Sequence, residues 1–309
     1  MKFRTEVKPL INENLISHQS KILLFGSCFA ENIGDKLLKS DFDVKINPFG
    51  IAFNPMSILK QINGSPVEIN HMIGAGDNVM SFDYHSKYNG KTIADFEAKI
   101  SKDQKIVKRE IESADIVGFT FGTAWTYLLK QTNQTIANCQ KQPASLFTKQ
   151  LLNIDSILEQ YTLFIQELLL SNPNVKIILT VSPVRHLKDG LIENNRSKAI
   201  LLLLCQNLAN LFKENVIYYP SYEIVMDDLR DYRFFEKDLL HPNEMAIDYI
   251  YTHFQNSFFS ENTKTINVMI DKYNRLLNHK NINSSKNNLK ENKTKLKELQ
   301  NRIVALKLS

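Results

Sequence analysis

The amino-acid sequence predicts an α/β fold: a three-layer α/β/α sandwich on a mainly parallel sheet, followed by a helical C-terminal tail. Three observations carry this. Short apolar runs such as KILLF at residues 21–25 and KIILTV at 176–181 have the length of buried strands. Between them lie longer segments whose apolar residues recur at helical spacing. The two kinds alternate along the chain, as parallel strands joined by helical crossovers do.

Taken in order, residues 21–25 stop at Gly26 and lead into a helical pattern through Asn32, Ile33, Leu37 and Leu38, which reads as strand, tight turn, helix. Residues 44–47 form a second strand, ended by Pro48, and a helix begins near Pro55 with Ile58, Leu59 and Ile62 on one face. Residues 64–92 lack sustained period and read as loops and short hairpins. A helix over 93–111 precedes the strand DIVGFTF at 115–121, and residues 125–129 and 135–138 flank a polar turn as a hairpin. Residues 145–170 read as one long helix, 176–181 as the clearest strand, 195–213 as a helix, 216–219 as a strand and 242–258 as the last helix of the domain. The expected domain is 1–260 and the tail 261–309. In the tail, Leu289, Leu296, Leu299, Ile303 and Leu306 make a short heptad seam. Two readings suit it: a helix packed back on its own domain, or a homodimer through the C-terminal helix.

Composition excludes several classes. With 43% apolar and 23% charged residues, the 309-residue chain is too apolar for disorder and large enough to bury a core without disulfides. The run AILLLL at 199–204 is far short of the roughly 20 apolar residues that span a bilayer. The first residues show no apolar signal region, and the three cysteines (Cys28, Cys139, Cys205) suit a reducing compartment, so a soluble cytoplasmic protein with no membrane partner is expected. The net charge of +5 belongs to the tail: residues 261–309 hold 11 Lys and Arg against 4 Asp and Glu, leaving 27 against 29 in the remainder. No aromatic residue interleaves with the basic ones between Lys286 and Lys307, so a nucleic-acid partner is not expected. No metal-ligand spacing, Walker loop or G-x-G-x-x-G occurs, and Gly74-Ala75-Gly76-Asp77-Asn78 is too short for a nucleotide loop, so no cofactor is expected.

Two stretches can do chemistry. In Gly26-Ser27-Cys28-Phe29-Ala30, a hydroxyl stands on the turn from the first strand into a helix. There a nucleophile is exposed at the sheet edge beside free helix N–H groups able to stabilise an oxyanion; alternatively Ser27 only caps the helix. In Asp238-Leu239-Leu240-His241-Pro242, a carboxylate three residues before an imidazole can fix its tautomer and support the imidazolium. His241, before a proline suited to the first helical position, is placed at the N-cap.

A nucleophile in the first block and Asp-x-x-His in the last resembles the SGNH (GDSL-type) hydrolase superfamily. More closely, the sequence resembles the GSCFA family, whose signature it carries letter for letter at Gly26-Ser27-Cys28-Phe29-Ala30. Further matches are Asn47-Pro48-Phe49-Gly50, Gly122-Thr123-Ala124-Trp125, Asn138-Cys139, Ser182-Pro183-Val184-Arg185-His186, Pro220-Ser221-Tyr222-Glu223, Asp231-Tyr232-Arg233-Phe234 and His241-Pro242. The resemblance covers roughly residues 20 to 260.

The resemblance implies an SGNH/flavodoxin-like sandwich and an ester hydrolase or acyltransferase acting on an O-acyl ester, an acylated carbohydrate among the candidates. Asp238 and His241 take the acid and base positions. The nucleophile is Ser27 if the only serine is aligned with the catalytic one, or Cys28 if Gly26 is aligned with the glycine of G-D-S. Oxyanion donors are the backbone of Gly50 with the Ser27 N–H, joined by Thr123 or Asn138, because the third block lacks the superfamily's Asn. The family's His after Asn-Cys is here Gln140. Trp125, Arg185 and His186, beside strand ends, are candidates for binding substrate, and His85 is a weaker one. A non-catalytic binding module that keeps the fold, and a Cys28-based thiol enzyme, are the alternatives.

Overall fold

A computed structural model describes residues 4–10, 12, 14–64, 67–74, 78–278 and 286–308. Residues 75–77, within the glycine-containing stretch set aside above, lie outside the described residues.

The central sheet has five parallel strands in the order β10-β9-β5-β1-β2: β1 (Lys21–Gly26), β2 (Asp43–Ile46), β5 (Ile116–Phe121), β9 (Lys176–Val181) and β10 (Val216–Tyr218). Counting only these strands, the order is 2-1-3-4-5, the doubly wound arrangement. β5 is central and buried at all six positions, which is why IVGFTF carries almost no polar residue. The predicted α/β class is the observed one.

Helices cover both faces. α1 (Cys28–Lys39) and α7 (Glu244–Phe258) bury Phe29, Ile33, Leu37, Ala246, Ile250 and Phe254 against one face. α2 (Pro55–Asn63), α3 (Ile93–Ser113), α4 (Ile154–Ser171) and α5 (Leu191–Leu211) cover the other, where Phe119, Phe121, Tyr161 and Cys205 pack. Four of these starts are capped: Ser27, Asn54 and Asn153 cap α1, α2 and α4, and Thr92 with Asp95 closes a capping box on α3. A short helix α6 (Ser221–Glu223) runs into a π-helical turn over Ile224–Asp228.

The irregular region holds a two-stranded ladder, β3 (Met72–Ile73) with β4 (Met80–Ser81), and a three-stranded antiparallel sheet, β7-β6-β8: β6 (Trp125–Leu129), β7 (Gln134–Ile136) and β8 (Phe147–Leu151). The expected hairpin is present. β8 corrects the expectation of a helix from residue 145. Phe147 is buried and Thr148 exposed, a strand alternation, and the ladder comes from β6, remote in sequence; the helix waits for the Asn153 cap.

The tail forms a helical hairpin. α8 (Glu261–Asn278) and α9 (Lys286–Leu308) pack Ile266 and Ile270 against Ile303 and Leu306. The hairpin is tied to the end of α1: Asn274 Nδ2 donates to Lys39 O at 3.0 Å, and Lys307 Nζ meets Asp41 at 2.5 Å. The seam residues Ile303 and Leu306 are thus spent within the chain; the side chain of Leu289 lies outside the described residues. Among the described residues no helix is long and apolar enough to cross a membrane.

Candidate active site

In a doubly wound sheet, ligands meet the carboxyl ends of the strands where the winding reverses, here between β1 and β5. β1 ends there on Gly26, at φ +134°. A Cβ on Gly26 would stand 2.1 Å from the Thr120 carbonyl oxygen, so only glycine lets the turn press against β5. Asn47, just past β2, accepts the Gly26 N–H on Oδ1 at 2.8 Å in a buried bond. Ser27 follows as the N-cap of α1: Oγ accepts the Phe29 N–H at 3.3 Å, and the residue is 2% exposed. No protein acceptor takes its hydroxyl hydrogen among the described residues.

Asp238 and His241 lie on the loop before α7. Asp238 Oδ1 accepts the N–H groups of Leu240 (2.9 Å) and His241 (3.0 Å), and Oδ2 meets His241 Nδ1 at 2.6 Å. These bonds, led by the His241 backbone N–H, hold the Asp238 carboxyl down to about 2. With Nδ1 facing the carboxylate, Nε2 is left without a protein partner among the described residues. The pair is open to solvent, each side chain nearly half exposed. His241 is not the N-cap, as the sequence suggested. Asn243 caps α7, taking the Ala246 N–H at 3.1 Å, while Pro242 bridges to Phe235.

Two observations put the pair at the Ser27 edge. Phe259, just after α7, bridges in parallel to Ile16, ahead of β1, so the opposite end of α7 points toward the strand ends. Between α1 and α7, Lys36 pairs with Asp248, and Tyr251 OH donates to Ser40 Oγ at 3.3 Å. These contacts step in the same direction along both helices, so α1 and α7 run parallel and the Asp238–His241 loop precedes the N-terminal end of α7, on the side where α1 also begins. No hydrogen bond joins His241 to Ser27 or Cys28 among the described residues.

The expected oxyanion donors all have hydrogen-bond partners within the protein. The Gly50 N–H is given to Asn47 O at 2.7 Å and the Ser27 N–H to Thr120 O at 3.1 Å. Gly50, at φ +89°, serves instead to admit the His85 ring, whose Cβ would lie 2.4 Å from an added Cβ. Thr123 Oγ1 is shared between Ser197 Oγ (3.0 Å) and the Trp125 N–H (3.1 Å), and Asn138 Oδ1 takes the Gln140 N–H at 2.8 Å. Gly50 and Asn138 are engaged in turns with near neighbours, Thr123 both in such a turn and with the remote Ser197, and Ser27 with the remote Thr120. The Cys28 N–H, in the first turn of α1, is the donor at this edge that the helix cannot satisfy. The Cys28 thiol is pushed up by burial and then by Glu31, which keeps it protonated at neutral pH.

Trp125, half-buried, donates Nε1–H to Glu193 O at 3.4 Å and carries the Lys149 ammonium 4.3 Å from its ring centre. Arg185 lines a cavity of about 530 Å³ with Asn195, Tyr222, Arg230, Tyr232 and Phe235. The wall at Phe235 is bridged to Pro242, so this cavity adjoins the His241 loop. His186 packs edge-on to Phe53 at 5.6 Å.

Two groups escaped the sequence reading. Lys198 is 1% exposed on α5 and donates to Gly122 O (2.5 Å) and Ser182 O (2.6 Å), the carbonyls just past β5 and β9. It was visible as a lysine on the same helical face as Leu201, Cys205 and Leu208. The second is a buried network: His71 Nδ1 meets Asp83 Oδ2 at 2.9 Å, His71 Nε2 meets Thr132 Oγ1 at 3.1 Å, and Lys60 Nζ pairs with Asp83 Oδ1 at 2.7 Å. It staples three irregular segments, whose separation in sequence hid it. Removing Asp83 strands a lysine and an imidazole, so Asp83→Ala is expected to lower unfolding free energy by about 3 kcal/mol in urea titration. An unchanged midpoint would contradict that role.

Among the described residues no cluster of three His, Cys, Asp or Glu side chains is placed to hold a metal. The chain belongs to the GSCFA family, whose model matches residues 21–254. A search of curated proteins returned no match. Among solved structures, the chain is similar to a carbohydrate esterase family 2 enzyme with a carbohydrate-binding domain from Corynascus thermopiles (Myceliophthora fergusii), at 11% identity and TM-score 0.41, over 82% of this chain and 67% of that one. It is similar also to a carbohydrate esterase family 3 structure from Talaromyces cellulolyticus, at 13% identity and TM-score 0.34, over 82% and 99%. Likenesses this remote say nothing of chemistry.

Proposed function

We propose that this protein is an SGNH-type ester hydrolase or acyltransferase that uses Ser27, His241 and Asp238 on an O-acyl ester, an acylated carbohydrate among the candidates. The observation that carries the reading is the Asp238–His241 bond of 2.6 Å, which directs Nε2 away from the carboxylate at the sheet edge that holds Ser27. In the reaction, Ser27 Oγ bonds to the acyl carbon while its proton passes to His241 Nε2, and the carbonyl π pair moves onto oxygen. The Cys28 N–H and the N-terminus of α1 receive that oxyanion. Collapse restores the carbonyl and expels the alcohol, which takes the proton from His241; water or a second alcohol then releases the acyl group. Hydrogen bonds of this kind are often long in unliganded enzymes and tighten around substrate, in keeping with a Ser27–His241 bond not yet made.

A second reading, a non-catalytic binding module, is favoured by the engaged N–H groups of Gly50 and Ser27. Turnover of a short-chain aryl ester separates the two. The enzyme reading expects hydrolysis that Ser27→Ala abolishes and Cys28→Ala retains in substantial part. No turnover of aryl or acetylated-sugar esters by folded wild type would leave the binding module, and loss in Cys28→Ala alone would move the nucleophile to the thiol.

A further inference from the structure

Buried ammonium groups are almost always paired with a carboxylate, because burial without compensation is costly. Lys198 breaks this pattern. Its Nζ is held by two neutral carbonyls, and no carboxylate forms an ion pair with it among the described residues. The position is not arbitrary. The first turns of α5 fasten the loops after both β5 and β9: Ser197 Oγ takes the Ala124 N–H at 2.7 Å, Asn194 Oδ1 takes the His186 N–H at 2.9 Å, and Lys198 bridges Gly122 to Ser182. Gly122 lies two residues past Thr120, whose carbonyl holds the Ser27 N–H. Of the groups on α1, the Cys28 thiol is the one whose charge bears on Lys198, and Glu31 acts on the same thiol.

We infer that Lys198 supplies the positive charge of this site: its ammonium, tied between the ends of β5 and β9, lies against the Ser27–Cys28 turn and offsets the negative charge that an attacked acyl group places there. The inference deepens the esterase reading and, for its catalytic consequence, rests on it. Lys198 is a positioning residue, since at 1% exposure it acts on substrate through the turn and not by contact. In a water-poor setting a fixed charge acts over several ångströms. Burial pushes its amine down from 10.5 to about 7, so the charge is present in acid and fades through neutrality. The sign for stability follows: between about 7 and 10.5 the folded amine has lost a proton that the unfolded one keeps, so stability rises with pH across that window.

The experiment uses Cys28 as a reporter beside the nucleophile and needs no turnover. Iodoacetamide alkylation of Cys28 is followed by peptide mass spectrometry from pH 6 to 9 in wild type, Lys198→Met and Lys198→Arg. An ammonium against the turn favours the thiolate, so Lys198→Met is expected to react about tenfold more slowly than wild type at pH 6.5, with the gap closing by pH 9. Lys198→Arg, which keeps its charge, is expected to stay fast relative to Lys198→Met across the range. A merely structural lysine would change the rate by the same factor at every pH, and that result, or no change, would overturn the inference. Should Lys198→Met not fold, wild type against Lys198→Arg decides it: diverging profiles above neutrality support the charge, parallel ones overturn it. If wild type shows the profile yet turns over no ester, the charge stands and the esterase reading fails.

Discussion

His241→Ala is expected to lower kcat/KM for a short-chain aryl ester by about 10³-fold while leaving the melting temperature close to that of wild type. The size follows from removing the general base, worth about 10² to 10⁴ in such transfers. Stability is spared because the imidazole is nearly half exposed and bonds only to Asp238, itself exposed. Asp238 adds no ionisation of its own to the pH profile above about pH 3, because its carboxyl is held to about 2 and stays ionised throughout. Asp238→Asn is expected to cut kcat more than it raises KM, since the carboxylate orients the base and touches no substrate. A His241→Ala variant with full activity would remove the imidazole from the mechanism.

Gly26→Ala is expected to have a large structural effect for a single added methyl. The added carbon meets the Thr120 carbonyl oxygen at 2.1 Å and its carbon at 2.8 Å, and φ of +134° is itself strained for an L residue. Separating β1 from β5 at this point breaks the Ser27 N–H bond to Thr120 and the Asn47 bond to Gly26. The expected cost is about 3 to 5 kcal/mol in urea unfolding, strain and overpacking together. Cys28→Ala, two residues further on at the start of α1, is the matched control and is expected to cost about 1 kcal/mol or less. Wild-type stability in Gly26→Ala would mean that the turn does not press on β5.

Much of the sheet was legible because its strands are buried on both faces. β5 and β9 show as short apolar runs that no loop would carry, and the helices between them repeat apolar residues at helical spacing. β8 was not legible, because a strand of FTKQL takes its identity from β6, more than fifteen residues away, and sits against the amphipathic run of α4. Of the candidate site, the Asp238–His241 pair was readable because its members are three residues apart. The partners of the oxyanion candidates were not readable, because a backbone N–H has no sequence signature: those of Gly50 and Ser27 go to Asn47 and Thr120. Lys198 was half-legible, a charged residue on an apolar stripe, but its carbonyl partners on two other strands were not. The tail seam was readable as a seam; that α8 fills it from within the same chain was not, because Ile266 and Ile270 lie more than thirty residues before Ile303.

Intact-mass and peptide analysis after treatment with a fluorophosphonate probe tests the central claim most directly. The probe phosphonylates a serine only where a base takes its proton and donors receive the developing oxyanion. The account predicts one adduct per chain, on Ser27, absent in Ser27→Ala and slowed at least about 10²-fold in His241→Ala. An adduct on another residue, or labelling of Ser27 at the same rate without His241, would contradict it.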